Sequence, residues 1–207
     1  MEHLTDKFDF FIFDWDGVLI RLYTHVRLYG RIISFIKKKR TPKVYYDKNF
    51  DKAEEITSKE NYLISLVLNF FVEHLSRPHL NDYVVNTLEK LKKRNKKIYV
   101  LTNGNKGRVL KKMHKAGIEK YFYAVVSAKD INAAKPNPKG LKLIIKMAHA
   151  DPKKCLYIGD KTTDIITAKY AKISSCGIAD GFDSYERLKY VNPDFLFKSM
   201  KEFYYAL

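Results

Sequence analysis

A chain of 207 residues that is 46% hydrophobic and 14% aromatic can bury one good-sized core, alone or with a small inserted module, and is neither disordered nor fibrous. Lysine and arginine number 39 against 23 acidic residues, a formal net charge of +16, a field that draws in anionic ligands. The longest apolar run, Tyr62 to Val72, is interrupted by Ser65 and Asn69 and is too short to span a bilayer, so no membrane association is expected.

The polar start, Met1 to Lys7, and the aspartates in the apolar stretch behind it do not read as a signal peptide. The cysteines, Cys155 and Cys176, are too few for a disulfide framework and lie in apolar segments, so they are expected to be small reduced core residues of a cytoplasmic protein. The basic residues are spread along the chain, and their main cluster, Lys37 to Arg40, matches no recognised nucleic-acid-binding motif. Steering of small anions, or plain compositional bias, is therefore favoured over nucleic-acid binding.

In chain order, Phe8 to Phe13 reads as a buried strand ending in an acidic loop. A helical stripe follows, made of Tyr29, Ile32, Ile33 and Ile36, then a loop around Pro42. A capping box at Thr57–Glu60 opens a helix that Pro78 closes. From Asp82 the pattern turns regular. Helices are expected at 82–94, 107–116 (ended by Gly117), 138–148 (capped by Asn137) and 163–171. Strands are expected at 98–101, 124–127, 155–158 and 175–178, with a short strand at 195–197 before a C-terminal helix. Short apolar strands alternating with amphipathic helices imply an α/β fold with a doubly wound parallel sheet. Ile20 to about Leu80 shows helix patterns without strands and reads as a small helical module inserted after the first strand.

Four short motifs sit just beyond predicted strands, at the sheet edge where open α/β folds bind ligands. They are Asp14-Trp15-Asp16-Gly17, Thr102-Asn103-Gly104, Lys135-Pro136, and Gly159-Asp160 with Asp164. Carboxylates gathered at one edge repel one another by kilocalories, so the cluster calls for a cation, and oxygen ligands with water suit Mg²⁺. Lys135 adds a second positive charge. An aspartate kept ionised by these groups can attack phosphorus, while its neighbour two residues on exchanges protons with the leaving group and with water. The Thr102 hydroxyl, nearby amides and Lys135 can hold the phosphoryl oxygens. Trp15 is expected to pack, with its backbone lining the pocket. Arg21 is expected to be a solvent-facing hinge residue more than a substrate contact.

The ordered set Asp14-Trp15-Asp16-Gly17-Val18-Leu19, Leu101-Thr102-Asn103-Gly104, Lys135-Pro136 and Gly159-Asp160-x-x-x-Asp164 resembles the four motifs of the haloacid dehalogenase superfamily. The resemblance covers Phe8–Leu19 and Asp82 to about Phe197, and implies a Rossmann-like core of residues 1–19 and 81–207 with a helical cap at 20–80. It implies that Asp14 is the nucleophile and Asp16 the general acid/base. Mg²⁺ would be bound by Asp14, the main-chain carbonyl of Asp16, Asp160 and Asp164, and the phosphoryl group by Thr102, Asn103 and Lys135. Asp16 favours phosphoryl over carbon–halogen chemistry. Relatives often carry Asp-Ser where this chain has Arg21-Leu22, which weakens any transfer of substrate identity. The expected activity is hydrolysis of a small metabolite's phosphate monoester through an aspartyl phosphate, by a monomer or homodimer. The alternatives are a phosphomutase, or a basic nucleic-acid-binding protein with a non-catalytic fold.

Overall fold

The computed structural model describes residues 3–21 and 79–207; the helical stripes expected at 29–36 and 57–76 lie outside the described residues.

A short helix, α1 (Leu4–Lys7), leads into β1 (Phe10–Phe13). After the inserted segment come α2 (Val84–Lys93), β2 (Lys97–Thr102), α3 (Lys106–Lys115), β3 (Phe122–Ser127) and the one-turn α4 (Ala128–Ile131). Next are α5 (Lys139–Met147), β4 (Cys155–Gly159), α6 (Thr162–Ala171) and β5 (Ser174–Ile178). The chain finishes with α7 (Tyr185–Tyr190), β6 (Phe195–Phe197) and α8 (Met200–Ala206). The strands form one six-stranded sheet in the order β3-β2-β1-β4-β5-β6, and every pairing is parallel.

The strand residues alternate between two cores because successive side chains point to opposite faces. Phe11, Phe13, Ile98, Val100, Leu156 and Ile158 pack on the face covered by α2, α3 and α8. Ile12, Tyr99, Leu101, Cys155 and Tyr157 pack against Leu141 and Ile144 of α5 and Ala168 of α6. With both faces covered, β1 and β4 and the middles of β2 and β3 are apolar runs, the signature of a buried parallel sheet. Both cysteines are free and buried in these cores. Among the described residues no helix is long and apolar enough to cross a membrane.

The expected elements from Asp82 onward occur within about two residues of their expected bounds. Gly117 takes a left-handed φ of 67° just past α3, a backbone shape that suits glycine. Asn137 accepts a hydrogen bond from the Lys139 amide at 3.0 Å, but the cap position of α5 is taken by Pro138 and not, as expected, by Asn137. The first strand begins at Phe10, two residues later than expected, because Phe8 closes α1 with its amide bonded to the Leu4 carbonyl.

The strand order reverses between β1 and β4, since β1 runs on to β2 on one side and β4 to β5 on the other. The crevice at the carboxyl ends of those two strands is the ligand position of such a sheet. Just beyond β1 the chain makes a compact turn. The Gly17 amide bonds to the Ile20 carbonyl at 2.9 Å, and the Ile20 amide to the Trp15 carbonyl at 3.1 Å. The chain enters and leaves the inserted segment side by side, with Ile20 bridged antiparallel to Leu80 and the Arg21 amide bonded to the His79 carbonyl at 2.8 Å. Arg21 itself pairs with Asp82 at 2.6 Å on the surface, a contact that contributes little stability. Buried Asn81 ties the turn down, donating from Nδ2 to the carbonyls of Gly17 at 2.9 Å and Val18 at 2.8 Å.

Replacing Asn81 with Leu strands both carbonyls. The expected cost is about 2 kcal/mol, seen as a melting temperature lower by about 5 °C. A melting temperature equal to that of the wild type would show that the turn does not depend on this side chain.

Candidate active site

The sequence places each motif at a strand end, and the fold brings those ends together. Asp14 follows β1 and is 3% exposed. Its Oδ1 accepts the Trp15 amide at 2.8 Å and the Lys135 ammonium at 2.8 Å. Its Oδ2 takes no hydrogen bond among the described residues, so that oxygen is the one open to a ligand. Trp15 is fully packed in the core and contributes through its backbone, as expected.

Asp160 follows β4 and is buried. Its Oδ2 accepts the Phe182 amide at 2.6 Å, while Oδ1 is buried with no partner among the described residues. An orphaned carboxylate oxygen is costly to bury unless a cation meets it. Two glycines let the backbone close over this carboxylate. A Cβ at Gly17 would lie 1.9 Å from Asp160 Oδ2, and one at Gly181 would lie 2.0 Å from it. Gly17 also holds a φ of 86°, which side-chain-bearing residues rarely adopt.

Asp164 sits in the first turn of α6. Its Oδ2 accepts the Lys161 amide at 3.0 Å, and its Oδ1 accepts Lys135 at 2.7 Å and the Tyr157 hydroxyl at 3.0 Å. Asp14, Asp160 and Asp164 each offer an oxygen within 4.8 Å of the others, the spacing of a metal-binding group. The carboxylate of Asp16 stands outside that trio. Its Oδ2 lies 3.8 Å from where a Cβ at Gly104 would be, so it faces the loop after β2.

Lys135 is the counter-charge. Its three ammonium protons go to Asp14 Oδ1, Asp164 Oδ1 and, at 3.1 Å, the Tyr157 hydroxyl. Asn103 places it, accepting the Lys135 amide on Oδ1 at 2.9 Å and leaving its Nδ2 without a partner among the described residues. Thr102 ends β2, buried, with Oγ1 accepting the Gly104 amide at 2.9 Å, so its hydroxyl proton remains free to donate.

Burial pushes the Asp14 carboxyl up to about 6, against the pull of Lys135 and with the push of Asp164. Burial also holds Asp160 well above the usual carboxylate range, helped by Asp14 and Asp164. For Lys135 burial works toward neutrality, but the Asp14 and Asp164 carboxylates outweigh it and keep the ammonium charged.

Sequence reasoning missed three parts of the site. Tyr157 read as a strand residue, although a tyrosine buried in a strand needs a partner for its hydroxyl, and that need was a usable signal. Lys161 was given no role within Gly159-Asp160-x-x-x-Asp164. The loop after β5 was not assigned at all. It is stapled to the site through the Asp183 amide on the Asp160 carbonyl at 3.1 Å and the Thr162 amide on Asp183 Oδ2 at 2.8 Å.

A carboxyl raised in the fold stabilises it below the unfolded pKa, and that contribution is lost as pH rises through the folded value. For Asp14 the window runs from its ordinary 3.8 to about 6. Above it the ionised cluster repels itself, and a divalent cation held there would relieve that repulsion. Mg²⁺ at a hundredfold over its Kd should therefore raise the melting temperature by about 5 °C at about pH 7.5, and by far less at about pH 5. An equal shift at both values would place the cation elsewhere.

The model of the haloacid dehalogenase-like hydrolase family matches residues 8–172. Pyrophosphatase PpaX of Oceanobacillus iheyensis is 27% identical over 158 residues, 74% of this chain and 71% of that one. A phosphoglycolate phosphatase of Vibrio parahaemolyticus is 32% identical over 124 residues, 60% of this chain and 54% of that one. The match thus spans little more than half the length of the second relative. Among solved structures, a haloacid dehalogenase-like hydrolase from Bacteroides fragilis superposes with a TM-score of 0.73 at 22% identity, over 95% of this chain and 99% of that one. With all four motifs drawn to one sheet edge and the family model covering most of the core, this chain belongs to the haloacid dehalogenase-like hydrolase family.

Proposed function

We propose that this protein is a Mg²⁺-dependent, cytoplasmic phosphatase that hydrolyses a small phosphorylated metabolite through a phosphorylated Asp14. The observation that carries the reading is the state of Asp14. One oxygen is fixed by the Trp15 amide and Lys135, and the other is open at the switch point of the sheet. Both named relatives act on phosphate compounds, in keeping with it.

Asp14, Asp160, the Asp16 carbonyl and Asp164 are the groups to hold the cation, and the orphaned Asp160 Oδ1 supports that assignment. When bound, the cation neutralises charge on the phosphoryl oxygens. The chain's own groups do the rest. Asp14 Oδ2 attacks phosphorus as the ester oxygen leaves. Asp16, facing the loop after β2 by Gly104, gives that oxygen its proton and later takes one from the water that cleaves the aspartyl phosphate. The Thr102 hydroxyl and the Asn103 Nδ2 hold the transferred oxygens as charge spreads over them. Residues 20–80 are assigned to substrate selection, because the chain leaves and re-enters at the site's rim through the Ile20–Leu80 bridge.

Phosphate release from an aryl phosphate should require Mg²⁺, stop with EDTA, and fall by at least about a thousandfold in Asp14→Asn. Activity kept by that variant, once deamidation is excluded, would overturn the nucleophile assignment. Free phosphate without an isomerised sugar separates hydrolysis from a mutase.

Tyr157→Phe removes the hydroxyl that bonds both Lys135 and Asp164. A loss of one such bond in the transition state lowers kcat by about tenfold with KM nearly unchanged. An unchanged kcat would make Tyr157 a packing residue only.

A further inference from the structure

Positive charge is unevenly placed in the described residues. Residues 89–120 hold twelve lysines and arginines against two acidic residues, whereas the other described residues hold sixteen against fourteen. Nearly all of the positive excess therefore sits in the stretch from α2 through β2 and α3 to the start of β3.

The fold gathers much of that stretch at one end of the molecule. In a parallel sheet each helix returns from the carboxyl end of one strand to the amino end of the next. Lys92 and Lys93, at the end of α2, and Lys111, Lys115 and Lys120, leading into β3, therefore lie toward the amino ends of the strands. α2 and α3 cover the same face of the sheet, and the turn Glu119–Tyr121 packs against both. Lys92 from α2 and Lys120 from the turn flank the Tyr121 ring, 5.6 and 5.3 Å from its centroid, so the cations of the two helices join into one surface.

The acids nearby are already engaged. Glu89 accepts the Tyr121 hydroxyl at 3.3 Å, and Glu119 meets His114 at 3.0 Å. Asp6 and Asp9 pair with Arg94 and Lys96. Among the described residues no carboxylate lies within ion-pair distance of Lys92, Lys93, Lys111, Lys115 or Lys120, all of which are exposed.

Neither stability nor the active site accounts for this surface. The helix dipole favours a cation in a last turn, but Lys111 and Lys115 are a like-charge pair four residues apart, which weakens a helix. Steering of small anions calls for charge around the catalytic crevice, and these lysines lie at the other end of the sheet. A lipid surface calls for a helix with an apolar face left open. Here Leu88, Leu91, Val109 and Met113 are spent on the core, and Leu110 is the one large apolar side chain exposed in residues 89–120. A protein partner calls for an apolar, aromatic centre poor in charge. A row of exposed ammonium groups without such a centre matches the repeated phosphates of a nucleic acid.

We propose that the basic surface formed by the ends of α2 and α3 and the turn between them binds the phosphodiester backbone of double-helical nucleic acid without reading its sequence. This second activity is independent of the phosphatase reading.

Fluorescence anisotropy of a labelled mixed-sequence DNA duplex of about 20 base pairs tests it. At about 50 mM salt the wild type should bind with a Kd in the micromolar range, and log K should fall with log salt at a slope of about −4. Replacing Lys92, Lys115 and Lys120 together with Gln should weaken binding by about tenfold or more and reduce that slope by about three. Replacing Lys142, Lys146 and Lys189 with Gln removes the same charge from exposed positions outside the surface, and should change the Kd by less than about twofold. Melting temperature and turnover of an aryl phosphate confirm that both triple variants are folded. No binding of the duplex by the wild type overturns the inference, and so does an equal loss in the two variants. Anionic lipid vesicles or polyglutamate bound as tightly as the duplex overturn it too.

Discussion

Three buried carboxylates around one ammonium set the terms for the rest of the structure. Asp14, Asp160 and Asp164 would repel one another strongly in a site closed to water. Lys135 meets two of them at 2.8 and 2.7 Å and cannot reach a third at the same time, because Tyr157 takes its remaining proton. Asp160 is therefore left with a buried oxygen that no group among the described residues satisfies. An arrangement of this kind is unfavourable as protein alone. It becomes favourable when something positive enters, so the site is defined as much by what its own atoms leave unpaired as by what they bind.

Holding such a cluster at one edge requires a backbone that can crowd it. The parallel sheet supplies the first condition, because adjacent β1 and β4 deliver Asp14 and Asp160 from neighbouring carboxyl ends. The loops supply the second. Gly17 and Gly181 approach Asp160 from two sides at distances no Cβ would tolerate. Asn81 pins the turn that carries Gly17, and Asp183 pins the loop that carries Gly181. Neither Asn81 nor Asp183 faces the chemistry. Both fix the backbone on which a carboxylate oxygen is aimed, and an oxygen misplaced by a fraction of an ångström would serve a cation poorly.

Much of this was legible in the sequence because the strands of a buried parallel sheet are apolar runs and the motifs abut them. Phe10–Phe13 before Asp14 and Cys155–Ile158 before Gly159 carry both signals at once. The missed elements are short ones. α1, α4 and α7 have 4, 4 and 6 residues, too few for a 3.6-residue stripe to register. They form because caps and packing hold them, as when the Ser127 amide bonds to Asp130 at 2.8 Å and opens α4. Tyr157 and Asn81 were hidden for another reason. Their roles depend on partners 22 and 64 residues away in sequence, and no local pattern encodes a contact of that range.

The net charge of +16 takes on a clearer meaning beside this site. Most of the basic residues among those described are exposed and form a diffuse field, which raises encounter rates with anions but distinguishes poorly between them. Selection needs cations that are fixed and partly desolvated. Lys135 and Lys161 meet that condition, since each is held against an aromatic residue and beside the carboxylate trio. Their charges are also kept by the same carboxylates that a cation would neutralise. Cation and lysines therefore compete for the field of the same three aspartates. A cation loaded there would release part of the lysines' charge from those aspartates and make it available to an anion, so metal and substrate would reinforce one another's binding.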